Sequence, residues 1–277
     1  MFVTGHSSSL LFSSDPALGA TNLSGNGAAF EVSFSEPLAI PRQALNVEVM
    51  LAEATVWWTV ANIEEGKNDK LYIDDTLAPA SYVVTIPQGL YDRSGLNAAV
   101  QRDLANQGAP ANLLIINQDA PTGKVVLQFG VTGTTVDFTQ PDTPRIILGF
   151  NSQVVGPSPA PPPGGVISVL APNVAEFNQI NSFLIHSDIV SRGVQLNNGY
   201  SQILGQVLIN VPPGSQIVSS PFNPPRVAAD ELRGQDRRTV RMWLTDEKNQ
   251  LVNTAGEYWT ARVTVSYQLP HVSNLEH

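Results

Sequence analysis

The chain contains no cysteine. That absence removes disulfide frameworks, thiolate zinc sites, iron–sulfur clusters and cysteine nucleophiles together, and it leaves the redox compartment open. Charge is also scarce. Asp, Glu, Lys and Arg make up 14% of 277 residues, against roughly 25% in an average soluble domain. Positive charge is scarcer still, with 15 Lys and Arg against 24 Asp and Glu and a formal net charge of −9. An acidic chain without a basic tail is poorly suited to coating nucleic acid, so no nucleic-acid partner is expected. No run approaches 18 apolar residues, so no helix is expected to span a membrane. The start, Met1-Phe2-Val3-Thr4-Gly5-His6, lacks the cationic then apolar layout of a signal peptide. Leu275-Glu276-His277 reads as the beginning of an expression tag.

What is present is punctuation. Hydrophobic residues reach 42%, and the chain holds 21 Gly and 21 Pro. Many short strands broken by turns use that mixture; long helices do not. Residues 1–29 are rich in Ser, Gly, Ala and Asn and are expected to be a mobile or surface-draped arm, with a first edge strand at Ser9–Phe12 as the alternative. From Phe30 the pattern has period two. Phe30, Val32 and Phe34 alternate with polar residues, then Leu45, Val47, Val49 and Leu51, then Val56, Trp58 and Val60. Between the last two runs the apolar phase moves from odd to even numbers. One extra residue must therefore be absorbed within Ala52–Thr55, by a bulge or a turn. On this phase Trp58 is core and Trp57 faces the other way.

Residues 64–165 read as a separate unit. Leu71–Asp74 and Tyr82–Ile86 suggest a hairpin. Asp92-Arg93-Ser94 opens a helix whose Leu96, Val100 and Leu104 share one face, with Asp92 or Ser94 as cap and Gly108 as its left-handed end. Leu113–Ile116, a turn at Pro121-Thr122-Gly123, the alternating Val125, Leu127 and Phe129, and Ile146–Phe150 follow. The expected unit is one helix laid on a small sheet. It ends in Gly156-Pro157-Ser158-Pro159-Ala160-Pro161-Pro162-Pro163-Gly164-Gly165, read as a stiff spacer without a packed side.

Beyond the spacer the two-residue period returns, cleanest in Trp259–Leu269. Framework strands are expected at 30–35, 45–51, 56–63, 183–190, 203–211, 216–219, 239–244 and 258–269. Eight antiparallel strands with Pro-rich returns fit a jelly-roll sandwich. The expected fold is thus all-β dominated: a single jelly-roll β-sandwich, 30–63 with 166–270, interrupted by a small inserted domain at 64–165. An arm at 1–29 and a tail at 271–277 flank it.

Motifs for chemistry are mostly missing. There is no phosphate-binding loop, dinucleotide fingerprint, Gly-x-Ser-x-Gly or His-Glu-x-x-His. His186 and Asp188 are two apart on one strand and share a face. With no Ser or third ligand placed beside them, they read as a polar outer face or a subunit contact. Asp74-Asp75 reads as a turn, since the twelve-residue calcium-loop pattern is absent. Arg237, Arg241 and Trp243 share a strand face amid interleaved acids, which suits a solvated face or an interface better than an anion site. The candidate subunit-interface residues are therefore His186, Asp188, Arg237, Arg241 and Trp243. No catalytic, metal or cofactor site is expected, and the chain is not expected to be an enzyme.

Three segments in order carry a family resemblance. They are Ile86-Pro87-Gln88-Gly89-Leu90-Tyr91-Asp92-Arg93-Ser94-Gly95-Leu96-Asn97; Val136-Asp137-Phe138 followed by Ile146-Ile147-Leu148-Gly149-Phe150; and Ile185-His186-Ser187-Asp188-Ile189-Val190 followed by Tyr200-Ser201-Gln202-Ile203-Leu204 and Pro212-Pro213-Gly214. This order resembles the penton (minor capsid) proteins of virophages and Polinton-type viruses, of the adenovirus-like lineage. The resemblance implies a single upright jelly roll with an insertion, assembled as a pentamer at the five-fold vertices of a virion. The implied partners are other copies of the chain and the major capsid protein; a vertex protein that also acts as a spike would carry the surface for a host receptor on the insertion. Two alternatives stand beside it: a trimeric double-jelly-roll major capsid protein, and a viral spike with a receptor- or carbohydrate-binding jelly roll.

Overall fold

A computed structural model describes residues 3–75, 80–160, 165–178, 180–196 and 199–270. The tail at 271–277, with its tag-like end, lies outside the described residues, as do positions 161–164 of the Pro-rich tract. In chain order the strands and helices are β1 (Val3–Ser13), β2 (Ala20–Ser24), β3 (Ala29–Ala39), β4 (Leu45–Trp57), β5 (Lys70–Asp75), β6 (Ala80–Thr85), α1 (Arg93–Asn106), β7 (Ile115–Asp119), β8 (Lys124–Phe129), β9 (Thr134–Asp137), α2 (Arg145–Leu148), β10 (Val154–Val155), β11 (Ile167–Leu170), β12 (Ser182–Ser187), β13 (Gln195–Leu196), β14 (Gly199–Tyr200), β15 (Ile203–Leu208), β16 (Gln216–Ser219), β17 (Arg226–Ala228), β18 (Asp236–Thr245) and β19 (Thr260–Pro270). The chain divides into two compact units, Met1–Val60 with Ile180–His277, and Ala61–Gln179. Among the described residues no helix is long and apolar enough to cross a membrane.

The first unit holds two antiparallel sheets. One runs β1-β19-β4-β16, with β17 also on β4; the other runs β15-β12-β18-β3-β2. Number β1, β3, β4, β12, β15, β16, β18 and β19 from one to eight. The sheets then read 1-8-3-6 and 2-7-4-5. Every step along the chain changes sheet except the fourth, where β12 pairs directly with β15. That connectivity is a jelly roll. Its strands form because apolar residues recur every second position, leaving one face to bury. Val240, Met242 and Leu244 of β18 and Ala261, Val263 and Val265 of β19 are all buried, while the residues between them are mostly not.

The expected slip in phase is there. On β4 the buried residues are Val47, Val49 and Leu51, then Ala54 and Val56, with Trp58 just beyond. Arg262 pairs with Glu53 but Val263 pairs with Leu51, so Ala52 is the extra residue of a bulge. The stretches 45–51 and 56–63, expected as two strands, are therefore one bulged strand that ends at Trp57. The count of eight survives because residues 1–29 are not an arm. β1 pairs with β19 over eleven consecutive residues, and β2 pairs with β3. The alternation of β1 is invisible in sequence because all of Val3–Ser9 is exposed and only Phe12 is fully buried.

The second unit is built from two small sheets, β10-β9-β5-β6 and β11-β8-β7, with α1 against strands of both. Only the first unit has jelly-roll connectivity. Asp92 caps α1 by accepting from the Gly95 amide at 2.6 Å, and Leu96, Val100 and Leu104 are buried. Burial raises the Asp92 pKa, but bonds outweigh it; the Gly95 amide and then the Ser94 hydroxyl hold it below its ordinary value. Buried Asn62 donates to the carbonyls of Tyr91 and Phe177 and accepts from the Tyr91 amide. This ties the beginning of the unit to its end.

Four expectations for this region need correction. The Pro-rich tract is not the boundary: β11 pairs with β8, and the unit runs to Gln179. Nor is the tract unpacked throughout. Ser158 is buried, exchanges backbone bonds with Gly133 and Thr134, and donates from its hydroxyl to Val131. Asp74-Asp75 is not a turn but the end of β5, paired with β6 and β9. Ile146–Phe150 is a helical turn closed by Gly149. Its φ is 77°, and a Cβ there would run into the Asn173 carbonyl oxygen. Glycine is needed at 149 on both counts.

Two outcomes follow. Trp58→Ala truncates a buried ring and should cost about 3–5 kcal/mol, whereas Trp57→Ala, half-buried on the opposite face, should cost far less. Urea midpoints for the two variants check this, and equal shifts would put the strand phase at fault. Replacing 61–179 by a flexible Gly/Ser linker should leave a folded β-rich protein by circular dichroism and amide exchange. An unfolded product would mean that the jelly roll needs the insertion to fold.

Candidate subunit-contact site

The five candidate residues come together on the outer side of the β12–β18 pair. His186 lies directly opposite Trp243 in the ladder. The rings stack at 5.1 Å and 13°, and the Arg241 guanidinium carbon sits 5.7 Å from the Trp243 ring centroid. Trp243 therefore makes both an aromatic stack with the imidazole and a cation–π contact with the guanidinium.

Asp188 extends the ladder beyond the end of β12. Its amide donates to the Arg241 carbonyl at 3.2 Å, and one carboxylate oxygen accepts from the Arg241 amide at 3.0 Å. The other accepts from Arg237 at 2.9 Å, while a second Arg237 nitrogen donates to the Asp188 carbonyl at 2.7 Å. Ser187 donates to the same Arg241 carbonyl. Arg237 thus grips Asp188 by side chain and backbone at once. The guanidinium fork can do this and an ammonium cannot.

The sequence places His186 on a polar face, yet it is 1% exposed. Its Nε2 lies 2.8 Å from the Thr245 hydroxyl, which itself donates to the Asp246 carbonyl. The hydroxyl and the imidazole nitrogen share one hydrogen bond in a site closed to water. Burial pushes the His186 pKa down to about 4. His186 is a packing element beneath the patch. Trp243, Arg241, Asp188 and Arg237 form its accessible part.

One polar cluster has no signal in sequence because its members are about seventy residues apart. Lys70 pairs with Asp142 at 3.2 Å, and the Tyr72 hydroxyl meets both Asp142 oxygens at 3.1 Å. The bond to Asp142 raises the Lys70 pKa, and desolvation with that same carboxylate raises Tyr72. Burial pushes Asp142 up, but the bonds from Lys70 and Tyr72 outweigh it and hold the carboxyl low. The cluster ties β5 to the turn before α2. Among the described residues no group of three or more His, Asp and Glu is placed to hold a metal ion.

Acid should weaken the fold through His186. Its folded pKa of about 4 lies below the ordinary value of 6.5, so the unfolded chain binds the extra proton across that window. Stability is full above about pH 6.5 and falls as pH drops towards 4, by up to about 3 kcal/mol. Urea titrations of the protein and of His186→Gln at pH 7 and pH 4.5 isolate the contribution. Equal pH slopes for the two would exclude His186 as its source.

The bacterial Ig-like domain family matches residues 9–106, about a third of the chain, from within β1 to the last turn of α1. No curated protein matches in sequence. Among solved structures, the chain is similar to the mavirus penton protein at 11% identity and a TM-score of 0.49, covering 95% of this chain and 100% of that one. It is similar to a chain of the Sputnik virophage at 12% identity and a TM-score of 0.40, covering 93% and 97%. With such identities and TM-scores below one half, neither likeness carries residue roles across.

Proposed function

We propose that the chain is a structural virion protein, a penton subunit that closes into five-membered rings at the vertices of an icosahedral capsid. The connectivity carries this reading: one complete jelly roll, interrupted between its third and fourth strands by a unit with a core of its own. The ordered segments noted in the sequence supply the number five. Physics supplies only that a head-to-tail contact which rotates will close into a ring.

The surface suits lateral contact. β15 and β16 lie on one side of the sandwich, and that side exposes Leu208 and Val218, with Phe222 fully exposed in the Pro-rich loop after β16. These apolar side chains give a neutral contact to the next copy. The Trp243–Arg241 pair gives a second. Because Asp188 and Arg237 satisfy one another within the subunit, the ring depends more on apolar contacts than on charge. In this reading the major capsid protein borders the ring, the insertion carries the surface for a host receptor, and no catalysis is involved.

Light scattering across concentration and salt, with imaging of the largest species, tests the reading. The expected result is a five-fold ring whose population responds strongly to concentration and weakly to salt, and which Phe222→Asp weakens. A stable trimer with pseudo-hexagonal outline would support the major capsid alternative. A strict monomer that binds a glycan would support the spike.

A further inference from the structure

A two-sheet sandwich has four edges, and each edge strand offers a row of unpaired amides and carbonyls to any other strand. Three edges of this jelly roll are guarded. β2 has only five residues, carries a register shift against β3 and holds Asn22 at a φ of 51°. β15 has six residues, and its outer side is partly taken by Val194, which donates to the Ile203 carbonyl. β16 and β17 have four and three residues and are separated by the Pro-rich loop.

β1 has none of these protections. It runs for eleven residues, Val-Thr-Gly-His-Ser-Ser-Ser-Leu-Leu-Phe-Ser, without Pro, Lys, Arg, Asp or Glu. Its register with β19 continues from Val3 to Ser13 without a shift. Among the described residues nothing pairs with its other side. A long, flat, uncharged edge is what proteins that stay single avoid.

From this we infer that the free edge of β1 is a docking site for β1 of a second copy, paired antiparallel about a two-fold axis through Ser8. Self-complementarity picks out this occupant. Full overlap sets Gly5 opposite Leu11, His6 opposite Leu10, Ser7 opposite Ser9 and Ser8 opposite itself. Leu11 is 69% exposed in the single chain, and the space where Gly5 would carry a Cβ is empty. The pairing puts that leucine over that gap twice. Leu10 covers the His6 ring, which stacks on Tyr267 at 5.2 Å. Hydroxyl faces hydroxyl at the centre, a favourable cross-strand pair. No like charges meet, although each chain carries −9. The contact is isologous and closes on two copies. It is therefore separate from any head-to-tail ring and does not depend on one.

The absence of cysteine makes the test clean. Directly opposite residues in an antiparallel pair have Cα atoms about 4.5–5.5 Å apart, within the span a disulfide accepts. Ser8→Cys should give a covalent dimer under mild oxidant. Leu23→Cys, exposed on the guarded edge of β2, should stay uncrosslinked under the same treatment. By sedimentation velocity, the unmodified protein should show a concentration-dependent two-fold species. Ser7→Lys with Ser9→Lys sets lysine opposite lysine twice. It should weaken that species by about tenfold or more without changing the thermal midpoint, since both side chains are exposed. A protein that shows no two-fold species, or one that the lysines leave unchanged, overturns the inference. A pentamer that resists the lysines overturns it too, and leaves the ring reading intact.

Discussion

The jelly roll depends on seating one tryptophan. Trp259 is the largest fully buried side chain, 1% exposed, and it immediately precedes β19. An indole carries a polar N–H that must find a partner when water is excluded. Here Nε1 donates to the Gly27 carbonyl at 2.9 Å. The Trp259 amide donates to the Ser14 hydroxyl, and the Ser14 amide donates back to the Trp259 carbonyl. The ring meets Phe30 edge-on at 5.2 Å. One residue thus fixes the end of β1, the entry to β3 and the start of β19. Gly27 reaches its place with a φ of 102°, which a side chain would resist. From Trp259 the last strand runs between β1 and β4 and completes that sheet.

The bulge at Ala52 solves a second problem for the same sheet. β4 is thirteen residues long and pairs with β19, β16 and β17. A strand of that length keeping strict alternation would carry its apolar face away from the core as the sheet twists. One unpaired residue resets the phase, so Val47 and Val56 both point inward although their numbers differ in parity. The same reset puts Trp58 inside and leaves Trp57 at the periphery.

What the sequence disclosed follows from what each strand buries. β18 and β19 alternate between core and a polar face, so their period is readable. α1 is readable because Leu96, Val100 and Leu104 repeat at helical spacing behind an Asp cap. β1 is not, since Thr4, His6 and Ser8 occupy the inward phase without being apolar or buried. Ile146-Ile147-Leu148 is a short apolar run, and periodicity cannot separate strand from helix over so few residues; Pro144 and Gly149, which bracket the turn, are the local signal for it. The Pro-rich tract misleads as a boundary because composition reports stiffness and says nothing of the bonds Ser158 makes. His186 falls on the expected face of the expected strand, but no local pattern reveals that Trp243 roofs it.

Four acid–base pairs of the jelly-roll unit are satisfied within the subunit. Glu48 meets Arg226, Glu53 meets Arg262, Asp188 meets Arg237, and Asp230 meets Arg233. Exposed pairs of this kind add little stability, about 0–1 kcal/mol each. Their larger effect is to neutralise the sheet faces: the outer face around β1 and β19 presents Ser7, Ser9, Thr264 and Ser266 with Arg262 already paired. Such a face neither attracts nor repels over distance. Association must then come from shape, from backbone edges and from the few exposed apolar side chains, which act only at contact. Those are the interactions that suit a subunit meeting its neighbours in one fixed geometry.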